Sequence, residues 1–243
     1  MKLYLVSEEY GKPYTFIQED FSQFKLTTIK NVSIKGQNIG FLAITSRLDA
    51  VMSTSSPQAI ATKLLTSALQ EMPDVIALAN LFESGGYEFS VVGGPVRDLI
   101  LDRPITDLDF TTNANPEQII SLVEPWADNV WDVGIAFGTV GVRKKNFQAE
   151  ITTYRSEVYR HESRKPEVKF GTTLEEDLVR RDFTINAMAV RLPEFIFVDP
   201  FGGVEDLSKK LIRTPRAPEL SFSDDPLRMM RAARFTSQLG FTP

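Results

Sequence analysis

The chain has 243 residues, 42% of them hydrophobic and 24% charged, with a net charge of −5 at pH 7, the composition of an ordinary globular protein of one or two domains. It has no Cys and a single His, which excludes disulfide frameworks, Cys-ligated zinc, thiol catalysis and any site built on paired imidazoles. The acidic balance argues against a generally basic nucleic-acid coat and leaves room only for a local basic groove.

Residues 1–51 read as a β-rich segment. KLYLV, YTFIQ, FKLTTI and IGFLAI are short aromatic and β-branched runs with polar punctuation, and they carry no chemical motif. MSTSSPQ at 52–58 reads as a linker, or as a native start followed by a loose N-terminus. Residues 52–86 form a helical lead-in. Ile60, Leu64, Leu65 and Leu69 recur at helical spacing. Pro73 opens a second helix through Val75, Leu78, Ala79 and Phe82, and Gly85-Gly86 closes it. Both helices are expected to pack rather than to act.

From Tyr87 the pattern is denser. EFSVV predicts a buried strand, Gly93-Gly94 a turn, PVRDLIL a helix with Pro in its first turn, DLDFTT a strand and PEQIISLVEPWA a helix. FGTVGVRK and FQAEITTY alternate as strands, with a hairpin across Lys144–Asn146. Residues 155–173 read as a long charged loop that carries His161, a surface His, since no G-x-S-x-G elbow accompanies it. LEEDLVRR is then a helix, INAMAVRL and FIFVD strands, VEDLSKK a short helix, and the chain from Ser223 onward helical. Hairpin strands interrupt strict β-α alternation, so an α+β layer is expected rather than a doubly wound sheet. No apolar run approaches the roughly 18 residues of a membrane span, and no signal-like N-terminus is present; a cytoplasmic chain without a membrane partner is expected.

The chemistry gathers in a few strings. Asp107 and Asp109 stand two apart on a strand, which turns both carboxylates to one face. Such a pair suits a Mg²⁺ ion held by carboxylates and substrate phosphates, although taken alone it is a weak signal that more often marks a strand-end cap or a solvated strand face. Upstream, VVGGPVRD combines a glycine turn, a helix start and Arg97, the parts of an anion site, or of a plain tight turn. RRDFTINAMAV has an arginine pair at a helix end and a cap-like Asp182–Asn186 turn. In SDDPLRMMRAARF, Asp225, Arg228 and Arg231 fall on one helical face. They form either an exposed ion ladder or an acceptor–donor pair able to read a base edge.

GGPVRD, DLDFTT, RRDFTINAMAV, VDPFGGVEDL and FSDDPLRMMRAARF, in this order, resemble the signature set of class II tRNA nucleotidyltransferases, the CCA-adding enzymes, and of the related bacterial poly(A) polymerases. The resemblance implies a polymerase-beta-like nucleotidyltransferase head over residues 87–222, a mixed sheet flanked by helices. Residues 223–243 would then begin the nucleotide-selecting neck helix. It implies Mg²⁺ at Asp107 and Asp109, with Glu150 as candidate third carboxylate. Gly93, Gly94 and Arg97 would meet the triphosphate, and Arg181 would lie in the nucleotide pocket. Asp225, Arg228, Arg231 and Arg234 would select CTP and then ATP without a template. The implied reaction is transfer of CMP and AMP from CTP and ATP to the 3′ end of tRNA, with poly(A) addition on the same scaffold, or a nucleotide-binding fragment with little turnover, as alternatives. Pro95 and Asp224 depart from the usual pattern without altering its logic. Similar enzymes continue through neck, body and tail regions past the position of Pro243, so a truncated head with weak tRNA binding is expected.

Overall fold

The structure, a computed structural model, describes residues 56–105, 107–134, 138–158, 167–171 and 173–243, together with strands at 4–6, 13–15, 29–34 and 37–42. The chain divides into two units, Met1–Ser56 and Pro57–Pro243. In the first, β1 (Tyr4–Val6) pairs antiparallel with β2 (Pro13–Thr15), and β3 (Ile29–Ile34) with β4 (Gln37–Leu42). The third strand is IKNVSI; residues 24–28 of the expected FKLTTI strand lie outside the described residues.

The second unit begins with α1 (Pro57–Gln70) and α2 (Pro73–Ser84). Ala61, Leu65 and Leu69 of α1 and Val75, Leu78, Ala79 and Phe82 of α2 are buried in the same core as the sheet, each large side chain contributing about 1.5–3 kcal/mol by leaving water. β5 (Phe89–Val92) follows, buried at every position. Then come α3 (Gly94–Ile100), β6 (Leu108–Thr112) and α4 (Pro116–Val123), the last opened by a reciprocal Asn115–Gln118 capping box. Phe82, Phe89 and Phe110 stack in series, with ring centroids 4.3 and 4.6 Å apart, so helix α2 is bonded through aromatic faces to the two central strands.

β7 (Asn129–Gly134), β8 (Thr139–Lys144) and β9 (Phe147–Thr153) come next. The hairpin turns through Lys145, at φ 52°, where the sequence put it. β7 was not expected: NVWDVG lies beside a helix end and alternates weakly. Within the stretch 155–173, β10 (Arg155–Val158) and β11 (Glu167–Phe170) pair antiparallel, where a continuous loop was expected; strands this short leave little alternation to read. His161 lies outside the described residues. α5 (Leu174–Val179), a 3₁₀ turn at Thr184–Asn186, β12 (Ala189–Leu192), β13 (Ile196–Val198) and α6 (Gly203–Lys209) follow. The final helical stretch is broken. α7 (Pro218–Asp224) ends before Asp225, which is extended at φ −145°, ψ 96°, and α8 (Leu227–Leu239) begins after Pro226. The residue before a proline is pushed out of the helical region, and that places the break.

The strands form one seven-stranded sheet in the order β13-β12-β5-β6-β9-β8-β7. β6 and β9 run parallel, and the other neighbours antiparallel. Leu108 and Phe110, Ala149 and Ile151, and Val140 and Val142 all face the helical core. The alternate positions of the same strands therefore form the opposite face of the sheet. No helix among the described residues is long and apolar enough to cross a membrane.

Candidate functional site

Asp109 and Glu150 are directly paired across the parallel β6–β9 ladder. Paired residues share a face, so both carboxylates stand on the side away from the helical core. Asp107 lies one residue before β6 begins and is exposed. Burial raises the pKa of Asp109; the Arg181 guanidinium opposes that shift, and the negative charges of Glu150 and Asp107 add to it. Three carboxylates thus act on one another electrostatically, although neither Asp107 nor Glu150 lines the cleft that Asp109 borders.

The glycine turn sits at the end of β5. Gly93 has φ 75°, ψ −130°, a conformation that essentially only glycine adopts. A Cβ there would lie 2.8 Å from an Arg181 terminal nitrogen. Arg181 is in turn held by Asp177, 3.0 Å away and one helical turn earlier. Arg97 is buried and donates to both oxygens of Asp98, at 3.0 and 2.8 Å, and to Asn186 Oδ1 at 2.5 Å. Three of its five donors are thereby engaged, leaving two for a ligand. The bidentate fork expected of Arg97 is turned toward Asp98.

The 3₁₀ turn is the hub. Asp182 Oδ1 accepts from the Phe183 backbone N–H at 2.8 Å and from Asn186 Nδ2 at 3.0 Å, while Oδ2 accepts from Arg231 Nε at 2.7 Å. Arg97, Asn186, Asp182 and Arg231 therefore form one continuous hydrogen-bonded chain between α3 and α8. Phe235 lies under it, with the guanidinium carbons of Arg97, Arg234 and Arg231 at 5.2, 5.3 and 5.8 Å from its ring centre, within cation–π range.

An open cleft of about 590 Å³ gathers these groups. It is lined by Gly93, Gly94, Arg97, Asp109, Arg181, Asp225, Arg228, Arg231 and Arg234, all singled out in the sequence, and also by Arg155, Asp177, Arg180, Asp182, Asn186 and Phe235. The sequence marks Asp182 and Asn186 only as a cap and turn, and does not mark Phe235, because an aromatic at helical spacing signals packing. The shared helical face of Asp225, Arg228 and Arg231 is corrected. Asp225 stands outside α8 and accepts from the Leu227 backbone N–H at 3.0 Å. Arg228 is buried and donates to Ser221 Oγ and to the Arg180 carbonyl, both at 2.6 Å, with its Nε 3.9 Å from Asp225. Arg228 therefore anchors α8 to the end of α5 while bordering the cleft.

Among the described residues no group of three or more His, Asp or Glu side chains is gathered so as to hold a metal ion by itself. Mg²⁺ commonly takes only one or two carboxylates and completes its shell with water and substrate phosphates. Mutual repulsion among Asp107, Asp109 and Glu150, beside a cleft lined by guanidinium groups, fits an ion that arrives with a phosphorylated ligand.

Residues 89–213 match the poly A polymerase head domain. The CCA-adding enzyme of Lactobacillus helveticus is 48% identical over 178 residues, which is 71% of this chain and 43% of that protein; the chain thus spans less than half the length of this curated relative. The crystal structure of the Bacillus stearothermophilus CCA-adding enzyme in complex with CTP aligns with a TM-score of 0.61 at 41% identity, over 69% of this chain and 39% of that one. A tRNA nucleotidyltransferase complexed with a primer tRNA and an incoming ATP analog aligns with a TM-score of 0.56 at 34% identity, over 68% and 46%. The seven-stranded mixed sheet with flanking helices is that of a polymerase-beta-like nucleotidyltransferase head, and the chain belongs to the poly A polymerase head-domain family.

Proposed function

We propose that this chain is the catalytic head of an enzyme that adds CMP and AMP, from CTP and ATP, to the 3′ end of tRNA without a nucleic-acid template. The observation that carries this reading is the cleft that brings a glycine turn, five of the singled-out arginines and Asp109 together. The CTP and primer-tRNA complexes of its structural neighbours support the choice of substrates.

In this reading Gly93 and Gly94 let the triphosphate approach the backbone, and Arg97 and Arg181 face its negative charge. Asp107 and Asp109 hold Mg²⁺, and Glu150 adds the third carboxylate from the neighbouring strand. The ion, when bound, lowers the pKa of the attacking hydroxyl and neutralises charge on the leaving oxygen. The RNA 3′-oxygen bonds to the α-phosphorus as the bond to pyrophosphate breaks, and the hydroxyl proton leaves toward the carboxylates. Asp225 presents an acceptor to the base, Arg228 fixes the start of α8, and Arg231 and Arg234 supply donors along the cleft.

Incubation of the chain with Mg²⁺, labelled CTP or ATP and a tRNA lacking its terminal CCA tests this. Ordered CMP then AMP incorporation is expected, and its loss in Asp109→Asn. A run of AMP without CMP would instead favour poly(A) addition, the second reading suggested by the family description. Nucleotide binding with no incorporation on any RNA would overturn the transferase reading for this chain.

A further inference from the structure

On the face that bears Asp109, one row of directly paired residues crosses four strands: Asp109 on β6, Glu150 on β9, Gly141 on β8 and Trp131 on β7. Gly141 has no side chain to fill its place in the row, and the Trp131 indole occupies it. A Cβ on Gly141 would lie 2.3 Å from Trp131 Cε2 and 2.5 Å from its Nε1. The indole is half-buried rather than enclosed. Arg143, two residues beyond Gly141, is exposed and lies on the same face of β8. Adjacent strands are about 4.8 Å apart, so Gly141 lies about 10 Å along the sheet from Asp109.

This shelf is on the far side of the carboxylates from the arginine cleft. The cleft is lined by the turn after β5, α3, Asp109 of β6, Arg155 of β10, α5, the 3₁₀ turn and α8. The shelf is built from β8 and β7, two and three strands from β6 in the opposite direction. A transfer reaction needs its two reactants on opposite sides of the reacting centre, in line with the bond being made. With the nucleotide triphosphate in the cleft, the attacking strand must come from the β8–β7 side. An aromatic face beside an exposed guanidinium is what a single-stranded nucleic acid uses: a base stacks on the ring and a phosphate meets the cation.

We infer that Trp131, Gly141 and Arg143 form the subsite for the 3′-terminal nucleotide of the acceptor RNA, with its base against the Trp131 indole and its backbone phosphate at Arg143. The inference rests on the reading of the chain as an RNA nucleotidyltransferase, and it assigns a place to the second substrate. The competing account is purely structural: a cross-strand aromatic covering a glycine to stabilise an edge pair.

The chain has two Trp residues, so Trp126→Phe leaves Trp131 as the sole indole reporter. Its fluorescence is followed as a short single-stranded oligoribonucleotide with a free 3′-hydroxyl is added, with the same sequence as a duplex for comparison. Saturable quenching by the single strand is expected. In the otherwise unaltered chain, Trp131→Ala is expected to weaken oligoribonucleotide binding about 10-fold, while CTP and ATP affinities stay within about twofold. Trp131→Phe, which keeps a stacking face, restores most of the loss. Gly141→Val, which displaces the indole without removing it, reproduces the alanine phenotype, and Arg143→Ala lowers the salt dependence of RNA binding. RNA affinity unchanged in Trp131→Ala, or RNA and nucleotide affinities falling together as the fold loosens, overturns the assignment. A chain that quenches with RNA yet transfers no nucleotide sinks the transferase reading and leaves the shelf standing.

Discussion

Asp182 and Arg231 are joined side by side, with the arginine Nε 2.7 Å and a terminal nitrogen 2.6 Å from the same carboxylate oxygen. The aspartate is buried and the arginine about half exposed. Their separation in the chain is 49 residues, so the contact fastens the start of α8 to the turn that also holds Arg97 through Asn186.

Asp182→Ala should therefore act on both sides of the cleft. It leaves the Phe183 N–H and the Asn186 amide without their acceptor, and a buried group left unsatisfied costs about 1–3 kcal/mol. Urea denaturation is expected to show a loss in that range. Nucleotide affinity should fall more than Asp182→Asn makes it fall, since the amide keeps an acceptor oxygen. Equal stability of the alanine variant and the parent would show that the turn holds without this carboxylate.

Gly93→Ala tests the turn. An alanine at φ 75°, ψ −130° costs about 1–3 kcal/mol of backbone strain, and its Cβ displaces Arg181. The chain should still fold. ATP and CTP affinities should drop about 10-fold or more, because loss of one charge-assisted phosphate contact is worth about 1.5–3 kcal/mol. Isothermal titration against each nucleotide reads the change.

Asp109 sets a pH-dependent expectation. Burial raises its pKa in the folded chain above that of the unfolded chain. Folding thus favours the protonated carboxyl, and stability from this group is full below the ordinary carboxylate range and is lost as pH rises through the raised value. Without divalent cations, Asp109→Asn should accordingly be more stable than the parent at neutral pH, with the gap closing on acidification. Added Mg²⁺ should stabilise the parent and not the variant. Parallel stability–pH curves for the two proteins would argue against a raised Asp109 pKa in the folded chain.

Asp225 and Arg228 separate by their surroundings. Asp225 is about 40% exposed at its side chain, against 7% for Arg228. Asp225→Ala is expected to flatten discrimination among the four NTPs at least several-fold while leaving triphosphate binding in place. Arg228→Ala should additionally destabilise the fold by about 1–3 kcal/mol, since Ser221 and the Arg180 carbonyl lose their donor. Binding of all four NTPs, with melting curves in parallel, distinguishes the two. An unchanged preference profile in Asp225→Ala would leave that residue as only the cap of Leu227.

The strand that carries Asp109, the glycine turn and the arginine strings were legible because each is local. Alternation on a strand, a glycine before a proline-led helix and charge at helical spacing all depend on neighbours a few residues away. The same locality set limits. Helical spacing ran through Asp225 as if no break existed, and the buried partners of Arg228 remove the exposed-ladder alternative and make it an anchor. Asn186 signalled only a local turn and Phe235 carried no signal of its own, since their roles at the cleft exist only where α3, the 3₁₀ turn and α8 converge.

The linear sequence by itself determined which residue types could do the chemistry here: no thiol, no paired imidazole, and therefore carboxylates and guanidinium groups. It also determined the motif order that marks the family. Tertiary structure alone decided how they meet. The parallel β6–β9 register brings Glu150 beside Asp109 from a strand 41 residues away in pairing, and the unforeseen edge strand β7 lays Trp131 over Gly141. Strand register is set by which faces can be buried together across the whole sheet, a property of all seven strands at once and of none of them alone.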